Sequence, residues 1–171
     1  MTMKELENCI EVYGKDVYNF CLYLTRDREL AEDLYQDTFL TAIQKQKQID
    51  DEASIKGYLL SISVHLWKNA KRKVAWRNRI APMGQLDDAT EQFLNYTEKD
   101  AVLEKEQKTL IRDAVQRLSE KYRIVILLFY MQELSQEEIA SVLHIPVGTV
   151  KSRLHTAKQL LKTELEEYFH E

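Results

Sequence analysis

Glycine and proline are scarce in this 171-residue chain, at 4 and 2 residues. So few punctuators exclude collagen-like and Pro/Gly-rich disordered chains and leave room for long unbroken helices. Cysteine is equally thin, with only Cys9 and Cys21. On one continuous helix that separation is about 18 Å, too far for a disulfide. Two small buried hydrophobes in a reducing cytosol are expected instead. Long apolar runs are missing as well. The longest, from Ile124 to Met131, falls far short of the roughly 20 residues a membrane span needs, so direct membrane insertion is not expected. The opening Met1-Thr2-Met3-Lys4-Glu5-Leu6-Glu7 has no apolar signal core, which points to a cytoplasmic chain. No β alternation of useful length occurs. His65, His144, His155 and His170 show no ligand spacing with one another or with either cysteine, so neither a metal nor another cofactor is expected.

What is present is helical periodicity. Hydrophobic residues at 44% and charged residues at 30% suit an all-α chain with a buried core. Leu6, Ile10, Tyr13, Val17, Phe20/Cys21 and Leu24 recur at the spacing of one helical face. Asp27 is placed to cap a second helix, with Leu30, Ala31, Leu34, Thr38 and Ala42 on its inner side. Ser54 is placed to cap a third, whose inner face carries Ile55, Tyr58/Leu59, Ile62 and Leu66. Periodicity resumes at Leu103, Gln107, Leu110/Ile111, Ala114 and Leu118. Ser119 opens a helix to Met131 that is apolar nearly all round and hence buried. The pattern predicts two small helical domains, 1–80 and 103–171, joined by an acidic linker over 81–102.

The net charge of −4 speaks against a simple basic nucleic-acid binder, but it conceals patches. His65 to Ile80 holds six bases and no acid, with Trp67 and Trp76 interleaved. Val147 to Thr163 holds four bases (Lys151, Arg153, Lys158, Lys162) and no acid. Pro82 to Glu106 carries a net −5, and so does Lys4 to Gln44.

The C-terminal segment has the marks of a helix–turn–helix. Ser135-Gln136-Glu137-Glu138 spells a capping box. A short helix with Ile139, Ala140, Val142 and Leu143 follows, then His144-Ile145-Pro146 as the turn. In the last helix Val150, Leu154, Ala157 and Leu161 form a buried stripe, which leaves Thr149, Lys151, Ser152, Arg153, His155 and Thr156 outside. An acid-free basic face of this kind suits a helix lying among phosphates.

Leu118 to Arg123, Leu134 to Ala140 and the string Ile145-Pro146-Val147-Gly148-Thr149-Val150-Lys151-Ser152-Arg153-Leu154-His155 resemble the second domain of bacterial RNA polymerase σ factors of the extracytoplasmic-function (ECF, group 4, σ70-like) family. The resemblance implies −35 promoter recognition. Lys151, Ser152, His155 and Thr156 would face base edges and nearby phosphates, and Thr149 and Arg153 would anchor the backbone. His144 stands where the family usually has Gly, and Thr156 where a base is common.

The resemblance extends over residues 10–80. Ala31-Glu32-Asp33-Leu34-Tyr35-Gln36-Asp37-Thr38-Phe39-Leu40 is similar to the family's core-polymerase-binding helix. Asp33, Gln36, Asp37 and Leu40 then form the contact stripe, with Phe39 beside it or packed into the lobe. The implied partner is a coiled coil on the largest polymerase subunit, with the flap region as a further contact. Tyr58 to Lys73 resembles the −10 recognition and melting helix. His65, Lys68, Asn69 and Arg72 share one face and Lys73 follows, with amide and imidazole to read bases and Lys/Arg to hold phosphates. His65 replaces a frequent Asn. The loop 47–52 would hold a flipped base, and the acidic linker would thread a positively lined polymerase channel. An anti-σ partner, membrane-anchored or not, is implied too. The reading is an alternative σ factor with no catalytic residue.

Three rival readings remain. A stand-alone helix–turn–helix regulator would bind duplex DNA tightly without polymerase. A helical Mg²⁺-dependent hydrolase would use Glu29, Glu32, Asp33 and Asp37, although no second acidic helix of comparable density faces them. The same stripe could also be a plain solvated acidic face.

Overall fold

The computed structural model describes residues 2–45, 54–80 and 102–169. Among them every regular element is helical: α1 (Met3–Thr25), α2 (Arg28–Gln44), α3 (Ile55–Ile80), α4 (Val102–Arg117), α5 (Glu120–Ile126), a π-helical turn (Leu127–Met131), α6 (Gln136–Leu143) and α7 (Val147–Phe169). The chain divides into two compact units, Met1–Asn95 and Tyr96–Glu171. The expected linker 81–102 lies outside the described residues except for Val102, which opens α4.

In the first unit, α1 begins with a closed capping box. The Thr2 N–H donates to Glu5 Oε2 at 2.6 Å, and the Glu5 N–H donates to Thr2 Oγ1 at 3.2 Å. The bond from the Thr2 backbone holds the Glu5 carboxyl below its ordinary range. Arg26, in the left-handed region at φ 57°, ends the helix. Asp27 then caps α2 by accepting from the Leu30 N–H at 3.1 Å. Ser54 caps α3 through the Gly57 N–H at 3.2 Å, as the sequence predicts.

Val17, Phe20, Cys21 and Leu24 of α1 are buried in this unit, as are Ala31, Leu34, Thr38 and Ala42 of α2 and Leu59, Leu60, Ile62 and Val64 of α3. The buried Thr38 and Ser63 hydroxyls are satisfied. Thr38 Oγ1 lies 2.7 Å from Leu34 O, Ser63 Oγ lies 3.1 Å from Leu59 O, and the two hydroxyls lie 2.9 Å apart, so one of them donates its single proton to the other while the other donates to its own helix's carbonyl. This link fixes α2 against α3 with a directional bond inside an otherwise apolar contact. Gly14 is buried because α2 comes close: a Cβ there would stand 3.0 Å from Tyr35 Oη. Two expected core residues lie outside. Ile10 and Leu30 are 39% and 47% exposed.

In the second unit, Ile124, Val125, Ile126, Leu127 and Leu128 are all buried, the all-round burial that an apolar helix requires. The expected helix to Met131 changes character, however. From Leu127 it widens to a π turn, in which the Gln132 N–H reaches Leu127 O at 3.1 Å. Glu133 at φ 57° then ends it, and the Leu134 N–H returns to Leu128 O at 3.1 Å. Ser119 occupies the N-cap of α5, but its side chain makes no capping bond.

Ser135 caps α6 by accepting from the Glu138 N–H at 3.1 Å. His144 closes α6 in the left-handed region, φ 53° and ψ 45°, a conformation that a non-glycine residue adopts at some cost. The Ile145 N–H returns to Ala140 O at 3.1 Å, and Pro146 O accepts from the Thr149 and Val150 N–H groups to start α7. Ile139, Ala140, Val142 and Leu143 of α6 are buried, as are Val150, Leu154 and Ala157 of α7. Arg117 pairs with Glu164 and so ties α4 to α7.

Candidate nucleic-acid and protein interfaces

The rotation of α7 about its axis is set by its buried stripe. With Val150, Leu154 and Ala157 inside, the helical repeat turns the basic positions outward. Lys151, Ser152 and His155 are exposed, and Thr149, Arg153 and Thr156 are half-buried. The structure divides these six. Thr149, Ser152, Arg153 and Thr156 line an open groove of about 350 Å³ together with Gly148, Lys121 and Tyr122. Lys151 and His155 are not among the groove residues. At Gly148 a Cβ would meet nothing within 4 Å.

Lys121 and Tyr122 belong to a helix whose sequence reads as wholly buried, so periodicity alone does not find them. The signal that could have is their place beside the N-cap Ser119, where a helix end reaches the surface. Lys121 Nζ sits 4.9 Å from the Tyr122 ring centre. The groove thus carries two cations, three hydroxyls besides the Tyr122 phenol and the N-terminal end of a long helix, all of which favour anions. Farther along, Lys158 Nζ lies over the Phe129 and Tyr130 rings at 5.3 and 5.6 Å, a cation–π contact.

On α3, Leu59, Leu60, Ile62, Ser63 and Val64 are buried. The opposite side presents His65, Arg72 and Lys73 exposed and Lys68 and Asn69 half-buried. His65 and Asn69 are hydrogen-bonded, Nε2 to Nδ2, at 3.2 Å. Trp67 is half-buried and Lys71 Nζ is 5.5 Å from its ring centre. The Trp76 side chain and the loop 47–52 lie outside the described residues.

On α2, Asp33, Gln36 and Asp37 are exposed and Leu40 is 56% exposed. Phe39 takes the inward of its two expected positions. It is 6% exposed, with its ring 5.0 Å from that of Tyr35. Phe39 thus lies beneath the exposed stripe, packed beside the aromatic ring one turn back. Leu30 lies on the same exposed side, three residues before Asp33, so the stripe runs farther than the sequence reading placed it.

Among the described residues no group of three or more His, Cys, Asp or Glu side chains could hold a metal ion. Glu32 of the rival carboxylate set instead pairs with Arg28 at 3.4 Å. Cys9 and Cys21 are free and buried. Burial pushes the Cys21 thiol up to about 12, which removes its nucleophilic form at neutral pH. No helix among the described residues is long and apolar enough to cross a membrane.

Comparison with known proteins connects these faces. The family model described as Sigma-70 region 2 matches residues 9–77, and that described as Sigma-70, region 4 matches residues 108–161. The chain is 30% identical over 167 residues to the ECF RNA polymerase sigma factor SigW of Bacillus subtilis, covering 91% of this chain and 86% of the relative. It is 34% identical over 152 residues to the ECF RNA polymerase sigma factor SigL of Mycobacterium tuberculosis, covering 88% and 83%. Its fold is similar to that of the sigma factor RpoE of Bartonella quintana, solved with the anti-sigma factor NepR. That likeness has a TM-score of 0.76 at 22% identity and covers 96% of this chain and 98% of that one.

Proposed function

The chain belongs to the ECF family of RNA polymerase sigma factors, and on that premise we propose how its residues divide the work. As an alternative sigma factor it directs promoter-specific transcription, with the polymerase core and promoter DNA as its partners. Its family is one of initiation factors, not of enzymes.

In our reading residues 1–80 bind the core and open the −10 region, residues 103–171 read the −35 element, and 81–102 link the two. Asp33, Gln36, Asp37 and Leu40 of α2 grip a basic polymerase surface, with Leu30 as an added apolar contact. His65 and Asn69 read −10 bases while Lys68, Arg72 and Lys73 hold the backbone. Lys151, Ser152, His155 and Thr156 meet −35 bases and phosphates. Thr149 and Arg153, joined by Lys121 and Tyr122, anchor the duplex.

One observation carries this division. Each face is the solvent side of a helix whose opposite side is locked in its own lobe's core, so each is held at a fixed rotation and left open. The Bartonella protein's complex supports an anti-sigma protein as a regulator of this chain also. The site of action is then the cytoplasm, with the polymerase.

The test is transcription from a promoter library by purified core polymerase with and without the protein. Promoter-selective initiation only in its presence is expected. Tight sequence-specific duplex binding without core, and no initiation, would favour a stand-alone regulator instead.

A further inference from the structure

Gly14 and Gly148 stand in opposite circumstances. A Cβ at Gly14 would come within 3.0 Å of Tyr35 Oη, so the approach of α2 to α1 accounts for the bare backbone there. A Cβ at Gly148 would meet nothing within 4 Å. Its backbone does not demand glycine either: it lies in α7, and no glycine among the described residues has a positive φ. Alanine is the better helix former of the two. Nothing inside the protein therefore excludes a side chain at this position. What a side chain would fill is the open space outside, and glycine is the residue that lets a ligand come close to backbone.

That space belongs to the groove of the second unit. Gly148, Thr149, Ser152, Arg153 and Thr156 fall at i, i+1, i+4, i+5 and i+8, one side of α7, and all five line it. The charge comes from Arg153 and from Lys121 across the groove. Both have long stems and reach an anion that stays some way off. The Thr149 and Ser152 hydroxyls stand one carbon from the backbone, so they bond only a ligand that comes down to the helix itself. A methyl group at position 148, on the same side as Ser152, would hold such a ligand off by about 1.5 Å. A hydroxyl bond of about 2.8 Å stretched that far is lost. We propose that Gly148 is a positioning residue for −35 binding: its missing side chain lets one sugar–phosphate strand of the duplex settle against the α7 backbone, within reach of Thr149 and Ser152, while Lys121 and Arg153 neutralise it. The proposal rests on the groove being the −35 contact, and it makes Gly148 the residue that sets how deeply α7 seats.

The experiment sets two readouts against each other. One is promoter affinity of the chain bound to core polymerase, followed by anisotropy. The other is thermal denaturation of the full chain. Gly148→Ala should bind promoter about tenfold more weakly, the loss of one hydrogen bond to a charged group. Its melting temperature should stay where it is or rise by about a few degrees, because alanine restricts the unfolded chain and suits the helix. Gly148→Leu, a larger side chain that is also a good helix former, should bind more weakly still, again with no loss of melting temperature. A residue that served only the fold would lose stability and binding together.

If Gly148→Ala and Gly148→Leu bind promoter as tightly as the unaltered chain while Lys121→Ala with Arg153→Ala binds weakly, the close approach is wrong and the groove remains a DNA contact. If the cation pair variant also binds as tightly as the unaltered chain, the −35 reading of the groove falls, and the role of Gly148 with it. A Gly148→Ala chain that melts earlier would show that the fold itself needs the glycine, which also overturns the proposal. So would a Gly148→Leu chain that binds more tightly than Gly148→Ala, since a steric barrier grows with the side chain.

Discussion

The groove on the second unit can be tested by how its DNA contact responds to salt. Lys121 and Arg153 line it, and Lys151 stands on the same outward side of α7. Lys158 is drawn over the Phe129 and Tyr130 rings and is left out of the count. Each cation that neutralises a phosphate steepens the dependence of log affinity on log salt by about 0.9. These three therefore supply a slope of about −2.7, or roughly a 40-fold loss of affinity between 50 and 200 mM salt. Lys151→Ala with Arg153→Ala leaves about −0.9 and a loss of only roughly 3- to 4-fold. Promoter binding by the variant bound to core, followed by anisotropy across a salt series, should show a slope shallower than that of the unaltered chain by about 1.8. Ser152→Ala carries no charge. It should weaken binding and relax a −35 base preference while its line runs parallel to the unaltered one. If the double variant also runs parallel, neither base meets a phosphate and the groove is not a DNA-backbone contact.

Three further outcomes are expected. Leu30→Ala, Leu40→Ala and the pair Asp33→Ala with Asp37→Ala should each weaken co-purification with core, Leu30→Ala by about 1 kcal/mol, with melting unchanged because these side chains are exposed. A Leu30→Ala variant that melts earlier yet binds core normally would end the stripe at Asp33. Leu154→Ala empties a site only 2% exposed on α7, a helix that packs on α5 and α6, and should cost about 2–5 kcal/mol. Denaturation of the full chain reads that cost, and −35-dependent initiation should fail while core binding persists. A cost below about 1 kcal/mol would mean the site collapses around the smaller side chain. Cys21 should resist alkylation in the native protein at pH 8 and react once unfolded. Its thiol is raised from 9.0 to about 12 by burial, so above pH 9 the unfolded chain releases a proton that the native one keeps. Stability is full below pH 9 and falls as pH climbs toward 12, which a denaturation series of unaltered chain against Cys21→Ala would read.

Much of this was legible in the residues because burial and helical period reinforce each other. Val17, Phe20, Cys21 and Leu24 repeat at the spacing of one face, and all are buried; the same holds for Val150, Leu154 and Ala157. Periodicity fails where a residue satisfies the count but no neighbour covers it. Leu30 sits in the first turn of α2, where Asp27 has only begun the helix, and it remains in solvent. Phe39 shows a different limit: its count allows a place beside the stripe or in the lobe, and the structure puts it inside, its ring 5.0 Å from that of Tyr35. The π turn carries no residue signal at all, since Leu127-Leu128-Phe129-Tyr130-Met131 is an ordinary helical string. The Thr2–Glu5 box is spelled by the sequence but is invisible to a search for apolar period.

The distribution of charge decides what these faces can do alone. The α3 run and the α7 run are each basic, yet the chain nets −4 because α1, α2 and the segment 82–106 are acidic. Those acids repel phosphate at long range, so free protein should bind promoter DNA weakly. On the proposed assignment, covering α2 with a basic polymerase surface would neutralise much of that repulsion, and two modest DNA contacts would then act as one bivalent contact. Their combined affinity then scales with the effective concentration of the second face once the first has bound. The acidic stripe would thus serve DNA binding indirectly: the surface we propose recruits polymerase is also a source of the charge that keeps the unbound factor off promoters.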